Sequence, residues 1–463
     1  MWTRRDLLSM GSLSVLGLTL PQLLGAQPRK ASKDRTSART HPPARSCILL
    51  FLEGGPSHID LWDLKPRAST DIRGLYQPIS TSVPGLQISE RLPDWAPIMK
   101  HLAMIRSVTH NVVDHNASSY FTVTGHDPIR GGELVRRPSR DNFPPIGAVL
   151  SKLRPTNQPL PDFVHIPRRM FNCGSYIPGQ LAGFFGHAFD PFITGDPSDS
   201  DFKVPGLEPL PELSSSRLAQ RRQLLSEIRE RTLLDNHQAV GRIESYYDEA
   251  YALVTSATAR KAFRLAEEPT RIRARYGCEA GQRGTGKLAH LGASLLLARR
   301  LVEAGIRLVT VWAGRQAFDT HRQHYKTLDQ EILPYLNRAF AALMTDLADR
   351  DLLDETLVAV LGEFGRTPKL GQVTSSAGAT PEGRDHWPRC YTALLGGAGI
   401  QAGAVYGASD QIAAYPARDP VSPKDIVATI YMALGVDPKI RIRDALNRPH
   451  TLVDGDPIAA VMA

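Results

Sequence analysis

Seven of the fourteen histidines, His58, His110, His115, His126, His321, His324 and His386, fall in short segments that also carry aspartate, serine and glycine. That clustering exceeds what surface solubility requires. Asp319 and His321 stand two apart in an extended stretch, so their side chains point the same way and could share one cation. Glu363 and His386 could close such a site from neighbouring strand ends. Carboxylate combined with imidazole suits zinc, manganese or iron, whereas an all-oxygen magnesium or calcium site would leave the imidazoles without a role. The alternative reading gives each of these side chains to a loop cap or a backbone carbonyl. Gly54-Gly55-Pro56 either cradles an anion with backbone N–H groups or makes a tight turn. Arg366, after Gly365, either clamps a sulfate, phosphate or carboxylate bidentately or forms a salt bridge.

Something must bring these segments together. Short apolar, β-rich runs alternate with longer helical patterns, which predicts an α/β sandwich with a mostly parallel central sheet and helices on both faces. The strands are expected at Cys47–Leu52, Ala103–Val108, Phe163–Ile166, Arg307–Trp312, Thr356–Leu361 and Tyr391–Leu395. Leu288, Leu291, Leu295, Ala298 and Val302 recur at helical spacing before one strand, and Ile332, Leu336, Phe340, Leu343 and Leu347 before another. In such sheets ligands bind beyond the carboxyl ends of the strands, and the polar segments follow those ends, or in the case of Arg384–Pro388 directly precede a strand. Residues 214–268, with a serine cluster, alternating Arg and Glu and the stripe Leu218, Leu225 and Ile228, predict a helical insertion with a solvated face. Between 131 and 211, density in Pro, Gly and Phe predicts long ordered loops over one sheet edge.

The 463 residues are 42% hydrophobic and 22% charged, which excludes disorder and a multi-spanning membrane protein. Of the net charge of +8, +6 lies in residues 1–45, so the remaining chain is nearly neutral and gives no reason to expect nucleic-acid binding. The front end reads as an export signal: Arg4-Arg5 with Leu7-Leu8, an apolar run Leu13–Leu20 too short to span a bilayer, and small residues at Gly25 and Ala26. This predicts a twin-arginine signal at 1–26, a disordered lead-in at 27–45 and one domain at 46–463, with the translocase as partner, no integral membrane segment after processing, and a bacterial periplasm or cell surface as destination. Cys47, Cys173, Cys278 and Cys390 lie far apart without metal-finger spacing, so thiolate zinc is not expected and no disulfide is assigned.

The twin-arginine start and the ordered motifs GGPSHIDLWDLKP, DHNASSYFTVTGHDP, FDTH, LGEFGRTP and GRDHWP resemble the domain-of-unknown-function 1501 family, related to sulfatases and grouped with the alkaline-phosphatase-like fold. The resemblance runs from about Cys47 to Gly435. It implies strand-end Asp and His residues that bind two metals, with a nucleophile between them. Asp319 and His321 resemble the Asp and His pair of one metal site, and His386 its late histidine ligand. His115 falls at the nucleophile's place. Glu363 stands where an Asp-His pair is usual, followed by Phe364, and Glu53-Gly54 stands where first-strand aspartates are usual. The implied activity is metal-dependent hydrolysis of a small anionic ester or a sulfated or phosphorylated glycan. His115 and Glu363 are then second-site ligands or acid-base groups, Arg366 the anion clamp, and Ser118, Ser119 or a water the attacking group. The rival expectation is a catalytically silent binding or surface-assembly protein that retains the fold.

Overall fold

Every residue of strand β1 (Ser46–Phe51) is buried, and its alternate side chains serve two different cores. Ile48 and Leu50 pack into one apolar cluster, while Cys47, Leu49 and Phe51 pack into another. A strand read this way must lie between two helical layers. The computed structural model describes residues 42–463 apart from 157, 205, 208–214, 232–246, 248–249 and 279–284. The export segment, most of the lead-in and the middle of the insertion lie outside the described residues.

The central sheet has eight strands: β1, β2 (Leu102–Val108), β3 (Phe163–Ile166), β4 (Phe192–Ile193), β5 (Leu308–Trp312), β6 (Thr356–Leu361), β7 (Tyr391–Gly397) and β8 (Val405–Tyr406). Their order is β4-β3-β5-β1-β6-β7-β2-β8, which puts β1 near the middle. Neighbours are parallel except around β7, which is antiparallel to both β6 and β2. All six strands expected from the sequence are in this sheet. β4 and β8, two residues each, are the additions at its edges.

Five helices matter here: α1 (His115–Thr124), α2 (Ser215–Arg231), α3 (Leu291–Glu303), α4 (Leu333–Asp349) and α5 (Pro423–Ala433). The stripes Leu291, Leu295, Ala298 and Leu336, Phe340, Leu343 of α3 and α4 cover one face of the sheet together with Trp62 and Trp95. Ile426, Val427 and Ile430 of α5 cover the other with Val123 of α1. Ser422 and Asp425 cap α5 reciprocally, satisfying two backbone donors that the first turn leaves free. In the insertion, α2 is solvated on its charged residues, but Leu225, expected in its apolar stripe, is exposed as well and Leu218 is only half-buried. The domain reaches further back than expected: Ala44 is buried and donates to the Ala433 carbonyl at 2.9 Å. Among the described residues no helix is long and apolar enough to cross a membrane.

Candidate metal centre

Because β7 runs against its neighbours, its start lies beside the carboxyl ends of β1, β2, β5 and β6. That reversal brings Arg384-Asp385-His386, which precedes β7, to the edge where Glu53, His115, Asp319, His321 and Glu363 follow the other strands. Asp319, His321 and His386 form the outer layer, with Asp319 Oδ1 2.8 Å from His321 Nε2 and 3.3 Å from His386 Nε2. The two Nε2 atoms are 3.0 Å apart.

What lies behind the rings decides what this triangle can hold. His321 Nδ1 donates to the Gly378 carbonyl at 2.5 Å, and His386 Nδ1 donates to the Val113 carbonyl at 2.9 Å. A carbonyl can only accept, so each Nδ1 carries a hydrogen and each ring turns its Nε2 inward. The two Nε2 atoms and a carboxylate oxygen then face one point, with the Arg366 guanidinium on Asp319 Oδ1 at its side, an arrangement that a shared proton or a cation can bridge. Donors bound to zinc at about 2.0–2.2 Å in a tetrahedron stand roughly 3.3–3.6 Å apart. The observed edges, 2.8 to 3.3 Å, are those of a slightly contracted set, so the residues fit a cation. Burial works to raise the Asp319 carboxyl, but Arg366 and the three surrounding histidines hold it far below the usual carboxylate range. Burial pushes the His386 imidazole down.

A second, deeper group consists of Glu53, His115 and Glu363, whose ligand atoms lie within 4.8 Å of one another. His115 opens α1, where the Asp114 side chain accepts from Ala117 N at 3.0 Å and fixes the helix start. Its Nδ1 donates to Glu363 Oε1 at 2.6 Å, and its Nε2 stands 3.4 Å from Asp319 without a hydrogen bond. Burial alone would lower this imidazole, but Asp319 and Glu363 outweigh it and push it up to about 10. Glu363 Oε1 also accepts from Gly54 N at 2.8 Å, while its buried Oε2 has no partner. Asn172 Nδ2 and Gln316 N donate to the two oxygens of Glu53. Burial, with Glu363 alongside, pushes the Glu53 carboxyl up to about 8. Phe364 packs against the rings of both His115 and His386, 4.8 and 4.7 Å from them, and those two rings meet edge to face at 4.4 Å.

Asp385 is grouped with His321 and His386, yet it is already saturated. It accepts from Thr374 N, Ser375 N, Ser375 Oγ and His386 N at 2.6–2.8 Å, and stands 3.3 Å behind His321 Nδ1, where it orients that ring.

Three expectations need correction. Arg366 does not present a free fork to an anion: its side chain is fully buried, and it donates to Gly54, Gly55 and Arg384 carbonyls and to Asp319 Oδ1. It straps the first-strand loop to Asp319 instead. Ser118 and Ser119 are fully buried in α1, and Ser118 Oγ donates to the Val112 carbonyl, so neither hydroxyl is placed to attack. Gly54-Gly55 is more than a turn. A Cβ on Gly54, whose φ is +106°, would lie 2.5 Å from Asp319 N, and one on Gly55 would lie 2.7 Å from the Phe364 ring. Gly54→Ala is therefore expected to cost about 1–3 kcal/mol from its backbone conformation and the displaced Asp319 loop. An unchanged urea midpoint would remove the claim of close approach.

Of the seven clustered histidines, three meet at the centre and four do not. His58 and His126 donate to the carbonyls of Ala413 and Leu452, each at 2.8 Å, and His324 meets Asp60 at 2.9 Å. His110 donates to the carbonyl of Glu363 itself at 2.7 Å, which positions that residue. Burial pushes His110 and His126 down to about 4, so both are neutral side chains of the scaffold. Asn172 was not singled out from sequence, and Glu53 was placed only where first-strand aspartates are usual, without a role. The usable signal for Glu53 was a lone carboxylate directly after an all-apolar strand, whereas Asn172 sits in a loop with no motif.

No curated protein matches the sequence. Among solved structures, the chain is similar to the lipoteichoic acid synthase LtaP from Listeria monocytogenes (9% identity, 90% of this chain and 76% of that one, TM-score 0.38). It is also similar to the PsFucS1 sulfatase from Pseudoalteromonas sp. (12%, 90% and 71%, TM-score 0.35). A TAB5 alkaline phosphatase variant with magnesium bound is a third (10%, 85% and 99%, TM-score 0.36). At these scores neither substrate nor activity passes from them to this chain. The profile of a family described as "Protein of unknown function (DUF1501)" matches residues 44–462, and the chain belongs to that family.

Proposed function

We propose that the protein is a metal-dependent hydrolase of sulfate or phosphate esters, with Asp319, His321 and His386 holding the cation. The observation that carries this reading is the pair of Nε2 atoms 3.0 Å apart, each on a ring whose Nδ1 is pinned by a backbone carbonyl, facing one carboxylate oxygen. The donor set of one carboxylate and two imidazoles favours zinc, manganese or iron over calcium or magnesium. When bound, such a cation supplies Lewis acidity, polarising an ester oxygen and lowering the pKa of water towards neutrality. The protein's own groups do the rest. Asp319 and the two rings fix the position of charge, Arg366 fixes Asp319, and Asp385 fixes His321. His115, tied through Nδ1 to Glu363, turns Nε2 towards Asp319, where it can hold a proton or join Asp319 and His386 around the cation. With Ser118 and Ser119 sealed in α1, water is the attacking group this arrangement supports.

Metal analysis of the folded protein beside assays on aryl sulfates, phosphomonoesters and phosphodiesters tests the proposal. Stoichiometric zinc, manganese or iron and turnover of one ester class are expected. A metal-free wild type, silent on the whole panel, overturns it in favour of a binding protein that retains the fold. Substrates carried on a sulfated or phosphorylated glycan agree with the basic cavity considered below.

We also propose export in folded form through the twin-arginine route, supported by Arg4-Arg5, the short apolar run and the concentration of positive charge before residue 46. Insertion of the cation inside the cell, before export, gives that route a purpose. Arg4→Lys with Arg5→Lys is expected to leave the precursor in the cytoplasm. Equal periplasmic amounts of this variant and wild type would refute the route.

A further inference from the structure

Beside the centre lies a cavity of about 710 Å³, bordered by Arg168, Arg169, Lys287 and Arg315 with Asp196 as the one carboxylate. Two of its lining residues directly precede, in the chain, residues that hold Glu53. Arg315 precedes Gln316, whose backbone N–H holds Glu53, and shares a loop with Asp319 and His321. Phe171 precedes Asn172, which holds the other oxygen of Glu53.

The cations here are held by rings rather than by acids. Arg169 lies 4.1 Å over the Tyr176 ring and Arg315 5.1 Å over the Phe171 ring, and the two rings meet edge to face at 5.3 Å. A guanidinium resting on an aromatic face keeps its N–H edge available to an oxyanion. Among the described residues Arg169, Lys287 and Arg315 have no carboxylate partner, the Arg169 Nε is buried without a hydrogen-bond acceptor, and Asp196 lies 3.8 Å from Arg168. Three unpaired cations in one cavity repel each other, a cost that an anion in the cavity offsets.

We propose that this cavity binds a second anionic group of an acidic oligosaccharide whose ester group sits at the metal centre. The inference deepens the hydrolase reading and rests on it for the position of the ester. The volume is that of a small-ligand pocket and takes part of a flexible oligomer, not a duplex. A single-stranded nucleic acid needs bare aromatic faces for its bases, whereas here a guanidinium lies over each of the Tyr176 and Phe171 rings. A sulfate, phosphate or carboxylate on a sugar ring matches both the forks and the space.

Calorimetric titration of the full chain at low salt with a sulfated heparin tetrasaccharide, its desulfated counterpart and a short oligothymidylate tests the proposal. The sulfated tetrasaccharide is expected to bind wild type, and Arg169→Gln with Arg315→Gln to weaken it at least about tenfold by removing two charge-assisted forks. Arg217→Gln with Arg221→Gln on α2, which removes the same charge elsewhere, should leave binding within about twofold. Unchanged circular dichroism secures the fold of each variant. No binding by wild type, equal binding by the Arg169/Arg315 variant, equal binding of the desulfated sugar, or equally tight and equally sensitive binding of oligothymidylate each overturns the proposal. Because no turnover is read, a metal-free and inactive protein that still shows this pattern would sink the hydrolase reading alone.

Discussion

His321→Ala is expected to lower cation affinity by at least about 100-fold and ester hydrolysis by about 10²–10⁴-fold while leaving the fold intact. The first figure follows because even the groups that merely orient a ligand cost 10–100-fold when lost, and His321 is a ligand in this account. The second follows because Lewis-acid stabilisation of several kcal/mol disappears, at a factor of ten per 1.36 kcal/mol. The His321 ring lies at the accessible edge of the centre, 12% exposed, so its removal leaves room for water rather than an empty core. His386→Ala should behave alike. Asp385→Asn, which changes the group behind His321 without touching the cation, should cost about 10–100-fold in affinity. Metal titration by calorimetry, with stability followed in parallel, reads all three. Loss of fold without loss of affinity in the surviving fraction would assign His321 to the scaffold instead.

Asp60→Ala is expected to destabilise the domain by about 3–5 kcal/mol, the usual cost of leaving a buried partner charge unpaired. Asp60 is completely buried and ties three motifs together. Arg384 Nε stands 2.8 Å from Oδ2, His324 Nε2 2.9 Å from the same oxygen, Ser57 Oγ donates to it at 2.5 Å, and Tyr325 OH donates to Oδ1 at 3.0 Å. The pair holds GGPSHID against GRDHWP one residue away from Asp385, so this variant should also loosen His386. Burial works to raise the Asp60 carboxyl, but Arg384 and His324 outweigh it and hold it well below the ordinary carboxylate value. The sign follows: the unfolded chain binds its proton near pH 4 and the folded one only at much lower pH. The contribution is therefore complete above about pH 5 and is lost as pH falls below 4. Urea midpoints from pH 7 to 3 should drop for wild type and change less for Asp60→Ala. Parallel slopes for the two proteins would show that Asp60 is not ionised in the native state.

Strands were legible wherever burial on both faces wrote an unbroken apolar run, as in Ile48-Leu49-Leu50-Phe51 and Val358-Ala359-Val360-Leu361. The edge strands Phe192–Ile193 and Val405–Tyr406 leave no such trace, because two residues have no period. The direction of β7 was not legible either. Direction depends on which neighbours a strand finds, and the tight turns around Gly397 and Gly399 are no different in composition from other loops. That reversal is nonetheless why His386, which precedes its strand, meets Asp319 and His321, which follow theirs.

At the site, residue chemistry pointed to side chains that do meet, but not to their supports. Asp319, His321 and His386 could be picked because carboxylate and imidazole are the side chains that share a cation, and the fold brings the three within 3.3 Å of one another. Arg366 was assigned to an anion because an arginine after glycine exposes nothing about its acceptors. Only the folded chain shows that Gly54, Gly55 and Arg384 carbonyls and Asp319 consume its donors. His110 and His324 carried the same composition signal as His115, yet they reach a carbonyl and Asp60, respectively. Burial and partner identity separate scaffold from centre here, and neither is written in local sequence.

The central claim is that a cation sits between Asp319, His321 and His386. Anomalous diffraction from a crystal of the folded protein grown with zinc, collected on both sides of the zinc edge, tests it most directly. The account predicts a strong anomalous peak at about 2.0–2.2 Å from Asp319 Oδ1 and from the Nε2 atoms of His321 and His386, absent in crystals of His321→Ala. Ordered density for all three side chains with no anomalous peak between them, at zinc concentrations that saturate other histidine-carboxylate sites, would contradict it.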